Sequence, residues 1–208
     1  MNFIHLIDYT GTFAFAISGI RLASAKRFDW FGAYVVGLVT AIGGGTIRDL
    51  LLNLTPFWMI QPSYLIVTGV ALVFVLILGK RLITLNNTFF IFDAVGLGLF
   101  VVVGIDKTLE SGFPFWVALI MGVITGSAGG VIRDVLINEE PLLFRKDIYA
   151  LACLFGGLIF YLCSYFDMSS FIVQVCSATS VVFARILAVK LQVSLPVLKG
   201  DEDETSDL

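Results

Sequence analysis

The sequence repeats itself at an offset of 85 residues. The segment GGTIRD at 44–49 returns as GGVIRD at 129–134, and the two copies align without an insertion or deletion. The same offset pairs Asp8 with Asp93, Gly11 with Gly96, Thr40 with Thr125, Asn53 with Asn138 and Tyr64 with Tyr149. A register that holds over more than fifty residues indicates an internal duplication, so each copy is one unit of the fold.

The composition is typical of a membrane protein. The chain has 208 residues, of which 58% are hydrophobic and only 14% charged, which excludes an ordinary soluble domain. A helix needs roughly 17–25 apolar residues to cross a bilayer. Seven stretches qualify, and we predict an all-α protein with transmembrane helices at about 4–20, 30–54, 63–79, 88–105, 114–138, 147–165 and 170–190. The first has no basic segment before it, so we interpret it as a span and not as a cleavable signal peptide.

The distribution of Lys and Arg predicts the orientation in the membrane. Nine of these residues fall on one side of the predicted spans and only Lys107 on the other. The nine are Arg21, Lys26, Arg27, Lys80, Arg81, Arg145, Lys146, Lys190 and Lys199. Because basic loops stay in the cytoplasm, we predict an N-terminus outside and a C-terminus in the cytoplasm of the plasma (inner) membrane.

An odd number of spans in each copy implies an inverted repeat. After three spans the chain lies on the opposite side of the membrane, so the second copy starts from that side and has inverted topology. We therefore divide the chain into a first three-helix repeat at 1–87, a second at 88–169, a seventh helix at 170–192 and an acidic cytoplasmic tail at 193–208.

Spans two and five combine unusual length with clustered glycines near the middle. The glycines are Gly43, Gly44, Gly45, Gly126, Gly129 and Gly130. Consecutive glycines lower the cost of leaving helical geometry, so we predict a kink or a short unwound segment at the bilayer midplane. The alternative is simple close packing, since small residues also let membrane helices approach each other.

The Arg-Asp pairs lie a few residues beyond these glycines. An ionisable group at such depth costs roughly 2.5–3.5 kcal/mol, so it must be paired or hydrated. One arrangement pairs Arg48 with Asp8 and, in the second copy, Arg133 with Asp93. It leaves Asp49 and Asp134 facing an aqueous path. The alternative is a buried ionic staple with no role in transport. Arg185, near the cytoplasmic end of the last span, is interpreted as snorkelling to the interface.

Two inverted three-span repeats with GGGxxRD and GGxxRD motifs, followed by a seventh helix, resemble the prokaryotic trimeric intracellular cation (TRIC) channels. The same repeat unit also resembles the bacterial glycine transporter domain family. The TRIC resemblance implies a homotrimer with a K⁺-conducting pore in every subunit, formed by kinked second and fifth helices. It maps the pore motif onto Gly43, Gly44, Gly45, Arg48, Asp49, Gly129, Gly130, Arg133 and Asp134. From the residues themselves we add Thr46 to the ion pathway, and Asp8 and Asp93 as supporting ion pairs. The second copy departs from the motif at Ala128, which takes the place of Gly43.

The residues alone are compatible with more than one function. Backbone carbonyls and hydroxyls such as that of Thr46 favour partly dehydrated cations. Opposed Arg and Asp groups at a midplane break also suit a secondary transporter of a small zwitterion such as glycine. A third class is a scaffold or lipid-binding protein that transports nothing.

The sequence shows no sign of an enzyme. No Gly-Lys-Ser/Thr follows the glycines, which argues against a phosphate loop. With His5 as the single histidine, we expect no resident metal and no cofactor, only permeant K⁺ or Na⁺. The expected partners are the bilayer, a bound lipid and two further copies of the chain, but no nucleic acid.

The predicted topology is tested by cysteine-accessibility labelling in intact cells. Single cysteines introduced near Lys26, Arg81 and Lys146 should be protected from an impermeant maleimide, whereas cysteines near Pro62 and Glu110 should react. Labelling at position 81 from outside would contradict the inverted arrangement, because every later span depends on it.

Overall fold

The protein is an all-helical bundle. The computed structural model describes residues 3–84, 88–145 and 148–193, without the side chains of 79–84. The helices within these ranges are α1 (Phe3–Ala25), α2 (Trp30–Leu51), α3 (Phe57–Ile60), α4 (Ser63–Thr84), α5 (Thr88–Glu110), α6 (Phe115–Leu136), α7 (Ala150–Tyr165) and α8 (Ser170–Lys190). The predicted fold class is therefore confirmed as an all-α membrane protein. The acidic tail lies outside the described residues apart from its first position.

Five of the described helices are long and apolar enough to cross a membrane, namely α1, α2, α5, α6 and α8. Shorter apolar helical stretches occur at Ser63–Leu78 and Ala150–Tyr165, where two further spans were predicted. The sequence did not predict α3, a four-residue helix between α2 and α4. Helix α5 also extends to Glu110, beyond the boundary at residue 105 that hydropathy suggested.

The two GG-x-x-RD helices end in the same way. Asn53 and Asn138 follow α2 and α6 with φ angles of 57° and 55°, in the left-handed region that Asn tolerates better than most residues. Directly afterwards, the Leu54 N–H donates to the Asp49 carbonyl and the Glu139 N–H to the Asp134 carbonyl, each at 2.8 Å. The repeated sequence thus forms the same helix end twice.

Helices α1 and α5 form the centre of the bundle and run antiparallel. A Cβ on Gly11 would lie 2.9 Å from the Phe100 ring, and a Cβ on Gly96 would overlap the Phe15 ring. The two contacts are equivalent under the repeat, because Gly11 and Phe15 correspond to Gly96 and Phe100 at the 85-residue offset. The Phe15 and Phe100 rings also meet edge to face, with centroids 5.1 Å apart.

Helices α2 and α6 cross at their glycines. A Cβ on Gly44 would overlap the Thr125 carbonyl oxygen, and a Cβ on Gly129 would overlap the Thr40 carbonyl oxygen. The crossing is again reciprocal and antiparallel. Both helices remain α-helical through these residues, so the short unwound segment is not formed and the alternative of close packing accounts for the contact. A bend without unwinding stays a prediction.

Helix α8 has no counterpart in the repeat and packs on α5 and α7. The Ser177 hydroxyl donates to the Gly156 carbonyl of α7 at 2.8 Å. On the other side, a Cβ on Gly98 of α5 would lie 2.6 Å from the Ala178 carbonyl oxygen. Small residues therefore hold α8 against the second half of the molecule.

Adding one methyl group at the α2–α6 crossing should destabilise the fold. Gly44→Ala and Gly129→Ala each place a carbon on a backbone carbonyl that cannot rotate away, so we expect a loss of about 1–3 kcal/mol, as is typical of overpacking. Gly69→Ala in α4 is the matched control, because a Cβ there meets nothing within 4 Å. Thermal unfolding in detergent measures the effect. Equal stability of Gly44→Ala and Gly69→Ala would show that the helices do not touch here.

Candidate functional site

The first Arg-Asp pair forms a buried cluster at the end of α2. Arg48 bends back onto its neighbour, and its Nε donates to Asp49 Oδ1 at 2.8 Å. Lys107 Nζ approaches the same oxygen at 3.0 Å. The other carboxylate oxygen accepts the Phe57 N–H at 2.9 Å. Asp49 therefore pairs with two cations and also fixes the chain that follows the helix.

The second pair repeats this arrangement with a different partner. Arg133 Nε donates to Asp134 Oδ1 at 2.8 Å, and the Leu142 N–H donates to Asp134 Oδ2 at 3.0 Å. The Arg133 Nη1 also binds Asp93 at 2.5 Å and the Ser18 hydroxyl at 2.7 Å. The predicted pairing of Arg133 with Asp93 is confirmed.

The matching prediction for the first repeat is wrong. Asp8 accepts the Tyr64 hydroxyl at 2.6 Å, and no ion pair joins it to Arg48 among the described residues. The reason is that Lys107 supplies the second cation of this half, so Arg48 and Asp49 complete their cluster without Asp8. In the first repeat, the counterpart of Lys107 is Leu22, 85 positions earlier, which has no charge to offer Asp134.

The two carboxylates expected to face water are buried. Asp49 is 0% exposed and Asp134 is 2% exposed. Each one accepts hydrogen bonds from the preceding Arg and from a backbone N–H eight residues further on. Neighbouring residues on a helix point about 100° apart, but the long Arg side chain spans that separation.

Three functional groups escaped the sequence analysis. Lys107 was assigned to an external loop, yet it lies in the last turn of α5 and reaches Asp49. Asp106, next to Lys107, was not predicted as a functional residue because the predicted span ended at residue 105. Arg185 does not snorkel, because it is 1% exposed and its guanidinium lies 4.7 Å from the centroid of the Tyr149 ring. Hydropathy gives no signal for such contacts, which depend on tertiary packing.

The glycines of the two motifs take different places. Gly44 and Gly129 meet at the helix crossing, and Gly43 faces the Ile132 side chain across it. Gly45 packs under the Phe57 ring, while a Cβ on Gly130 would lie 3.0 Å from the Tyr149 hydroxyl. Thr46 is only partly buried; its hydroxyl donates to the Ile42 carbonyl at 2.7 Å and accepts from the Trp58 indole at 3.0 Å.

Two adjoining cavities open beside the start of α1 and the end of α5. The Asp8 cavity has a volume of 220 Å³ and contains the side chains of Asp8, Tyr64, Lys107 and, at its rim, His5. The Gln174 cavity, of 420 Å³, lies between α5, α7 and α8. Both cavities share Asp106 and Glu110, and Gln174 donates to Asp106 Oδ2 at 2.5 Å.

A cavity of 350 Å³, the Glu139 cavity, lies at the opposite end of α1 and α5. It is lined by Leu22, Ala25, Lys26, Phe89, Asp134, Ile137, Glu139, Leu142 and Arg145. Glu139 binds Lys26 at 2.5 Å and Arg145 at 3.4 Å, and the hydrogen bond and charge of Lys26 lower the pKa of this carboxylate. Most of these positions are the 85-residue counterparts of positions around the Asp8 cavity, so one cavity opens from each end.

The second half contains buried polar atoms without partners. Among the described residues, Asp93 Oδ2, Arg133 Nη2 and the Tyr149 hydroxyl make no hydrogen bond. In the first half the corresponding Tyr64 hydroxyl donates to Asp8. Because unpaired buried groups are costly, these three atoms favour a further hydrogen-bonding partner.

A family model described as "Glycine transporter" matches residues 5–80 and 90–165. The two matched segments are themselves offset by 85 residues, in agreement with the duplication. The UPF0126 inner membrane protein YadS of Escherichia coli K12 is 38% identical over 203 residues, covering 96% of this chain and 98% of YadS. A UPF0126 membrane protein of Vibrio cholerae is 40% identical, covering 94% of this chain and 82% of the relative.

Solved structures show the same fold. A TRIC trimeric intracellular cation channel orthologue from Rhodobacter sphaeroides superposes with a TM-score of 0.87 at 32% identity, covering 93% of this chain and 100% of the orthologue. A trimeric intracellular cation channel from C. elegans shares the fold alone, with a TM-score of 0.63 at 13% identity, covering 96% of this chain and 94% of that channel. The chain therefore belongs to the membrane protein family that the glycine transporter model describes and that includes the prokaryotic TRIC channels.

Proposed function

We propose that the protein is a monovalent cation channel that conducts chiefly K⁺ through a pore inside each subunit. The observation that carries this proposal is the pair of cavities at opposite ends of α1 and α5, with the α2–α6 glycine crossing between them. Each cavity reaches one GG-x-x-RD motif: the Glu139 cavity through Asp134 itself, and the Asp8 cavity through Lys107 and Phe57, which bind Asp49. The path we propose joins the two cavities along α2 and α6.

The charges around the Asp8 cavity favour cations. Asp8, Asp106 and Glu110 line it together with one ammonium group, that of Lys107, which pairs with Asp49. A concave surface with an excess of negative charge concentrates counter-ions, so this entrance attracts cations. The similarity to TRIC cation channels supports the same conclusion.

Between the cavities we assign the pathway to the two motifs. It comprises Gly43, Gly44, Gly45, Thr46, Arg48, Asp49, Gly129, Gly130, Arg133 and Asp134, with Asp8 and Asp93 in support. At the crossing, the Thr40 and Thr125 carbonyl oxygens pack directly on glycines of the opposite helix, so the two helices must move apart before an ion can pass between them. Carbonyl oxygens exposed in this way would suit partly dehydrated K⁺ or Na⁺.

We extend the proposal to assembly and location. The Rhodobacter orthologue is named a trimeric channel and the Escherichia coli relative an inner membrane protein. We infer a homotrimer in the inner membrane with seven spans per subunit, the N-terminus outside and bound lipid at its surface. Neither enzymatic activity nor a cofactor is part of this function, and the permeant ion is the substrate.

A second candidate is a carrier for a small zwitterion such as glycine. It is favoured by the unpartnered Arg133 Nη2 and Asp93 Oδ2, which complement a carboxylate and an ammonium group respectively. The description of the matching family model points the same way. A carrier would bind its substrate at this buried site in the second half.

Opposite charge changes at the entrance should change conductance in opposite directions. Lys107→Met removes a cation and leaves Asp49 with Arg48, so cation conductance in planar bilayers should rise. Asp106→Asn removes an acidic group and keeps its bond to Gln174, so conductance should fall roughly twofold or more at low salt. Both effects should shrink as salt screens the charges.

Asp29→Asn is the matched control for these variants. Asp29 is exposed and caps α2 through the Gly32 N–H at 2.6 Å, a role that Asn also fills. Its conductance should equal that of the parent. If Lys107→Met and Asp106→Asn also conduct like the parent, the Asp8 cavity does not belong to the ion path.

Flux measurements on reconstituted protein decide between channel and carrier. Unitary currents in symmetric KCl are expected for a channel and should persist without glycine. Saturable counterflow of labelled glycine in liposomes, with no unitary currents, would favour the carrier. In that case Arg133→Lys should weaken glycine binding, because Lys cannot reproduce the planar guanidinium.

A further inference from the structure

Helices α7 and α8 approach each other closely around Gly156. The Ser177 hydroxyl donates to the Gly156 carbonyl at 2.8 Å, and a Cβ on Gly156 would overlap the Val181 side chain. The chain turns back between the two helices over residues 166–169, so they are antiparallel neighbours. Such close backbones bring side chains on facing positions within reach of a short covalent link.

Two cysteines lie on this interface. Cys163 follows Gly156 by seven residues on α7, and Cys176 directly precedes Ser177 on α8. Side chains on a helix lean toward its N-terminus, and in an antiparallel pair this moves the Cys163 and Cys176 thiols toward each other. The two thiols interact. Both are free thiols, the first half-buried and the second exposed.

The remaining cysteine is differently placed. Cys153 is 0% exposed and its thiol donates to the Tyr149 carbonyl of its own helix at 3.5 Å. It lies ten residues before Cys163, about 15 Å along the helix at 1.5 Å per residue. This distance excludes a disulfide between Cys153 and Cys163.

We propose that Cys163 and Cys176 form a reversible disulfide that links α7 to α8. One thiolate attacks a disulfide oxidant, releasing one thiol of that oxidant and forming a mixed disulfide. The second cysteine then displaces the oxidant's other sulfur, so a new S–S bond forms within the chain. The two cysteines lose two electrons and two protons, and the oxidant is reduced to two thiols.

The location of the pair suits oxidation. The 166–169 turn lies at the end of the molecule with the Asp8 and Gln174 cavities, since Asp167 lines the latter. The proposed orientation places this end outside the inner membrane. Disulfides form and persist in such oxidising compartments and are rare in the cytosol.

A disulfide here would fix one wall of the Gln174 cavity. This wall consists of α7 and α8 residues on either side of the turn, namely Phe160, Ser164, Asp167, Met168, Ser170, Val173 and Gln174. The link would hold Gln174 in its bond to Asp106, which both cavities share. The disulfide is thus a property separate from the proposed channel function, and it would restrain the entrance through which ions pass in that function.

The test is a thiol count on the full chain in mild detergent. The protein is treated with oxidised glutathione, the excess is removed, and the denatured protein is alkylated and weighed. We expect the number of alkylated cysteines to fall from three to one. Cleavage before Asp167 by endoproteinase Asp-N should then yield two peptides joined through Cys163 and Cys176. Rapid alkylation in intact cells reports whether the bond also forms there.

Single variants make the result specific. Cys153→Ser should fall from two alkylated thiols to none, whereas Cys163→Ser and Cys176→Ser should keep both of theirs. Three alkylated thiols after oxidation, or glutathione attached to either cysteine without a link, would overturn the proposal. Cross-linked dimers on a non-reducing gel would overturn it as well, since the bond would then join two copies. None of these readouts depends on ion conduction.

Discussion

The structure depends on how it neutralises charges that its own sequence buries. Asp49 and Asp134 each hold the Arg that precedes them and also accept a backbone N–H from the chain beyond the helix. A buried carboxylate with a single partner would be strongly destabilising, and these additional hydrogen bonds offset the desolvation. One carboxylate therefore stabilises a cation and positions a connecting segment. The segments after α2 and α6 form walls of the two cavities, so the shape of each entrance follows from these bonds.

The fold depends secondly on the close packing of glycines, which explains why α2 and α6 remain continuous helices. An unwound segment in lipid needs water or protein to satisfy its backbone. At the α2–α6 crossing each backbone lies directly on the other, with the Thr40 carbonyl against Gly129 and the Thr125 carbonyl against Gly44. Continuous helices satisfy their own backbone hydrogen bonds here. The glycines are needed because any side chain would force the helices apart.

The sequence predicted the features that depend on periodicity and composition. It did not predict ion pairs in which residues distant in sequence compete for one carboxylate. The duplication and the positions of the long helices follow from a register and a hydropathy pattern that any reader can trace. The pairing of Arg133 with Asp93 was also correct. The pairing of Arg48 with Asp8 was wrong because Lys107, fifty-eight residues from Asp49, reaches the same carboxylate. Nothing local marks that encounter, nor the stacking of Arg185 on Tyr149.

The failures show where the two repeats have diverged. Ser18 lies beside Arg133 and the neutral Leu22 lies near Asp134, whereas the corresponding positions near Arg48 and Asp49 are Val103 and Lys107. As a result the two ends of one duplicated fold carry different charge. The Asp8 cavity keeps carboxylates whose partners are a hydroxyl or an amide, while Glu139 at the other end is held by Lys26 and Arg145. A strictly symmetric molecule would treat ions arriving from either side alike. These substitutions give the two entrances different electrostatic potentials without changing the fold.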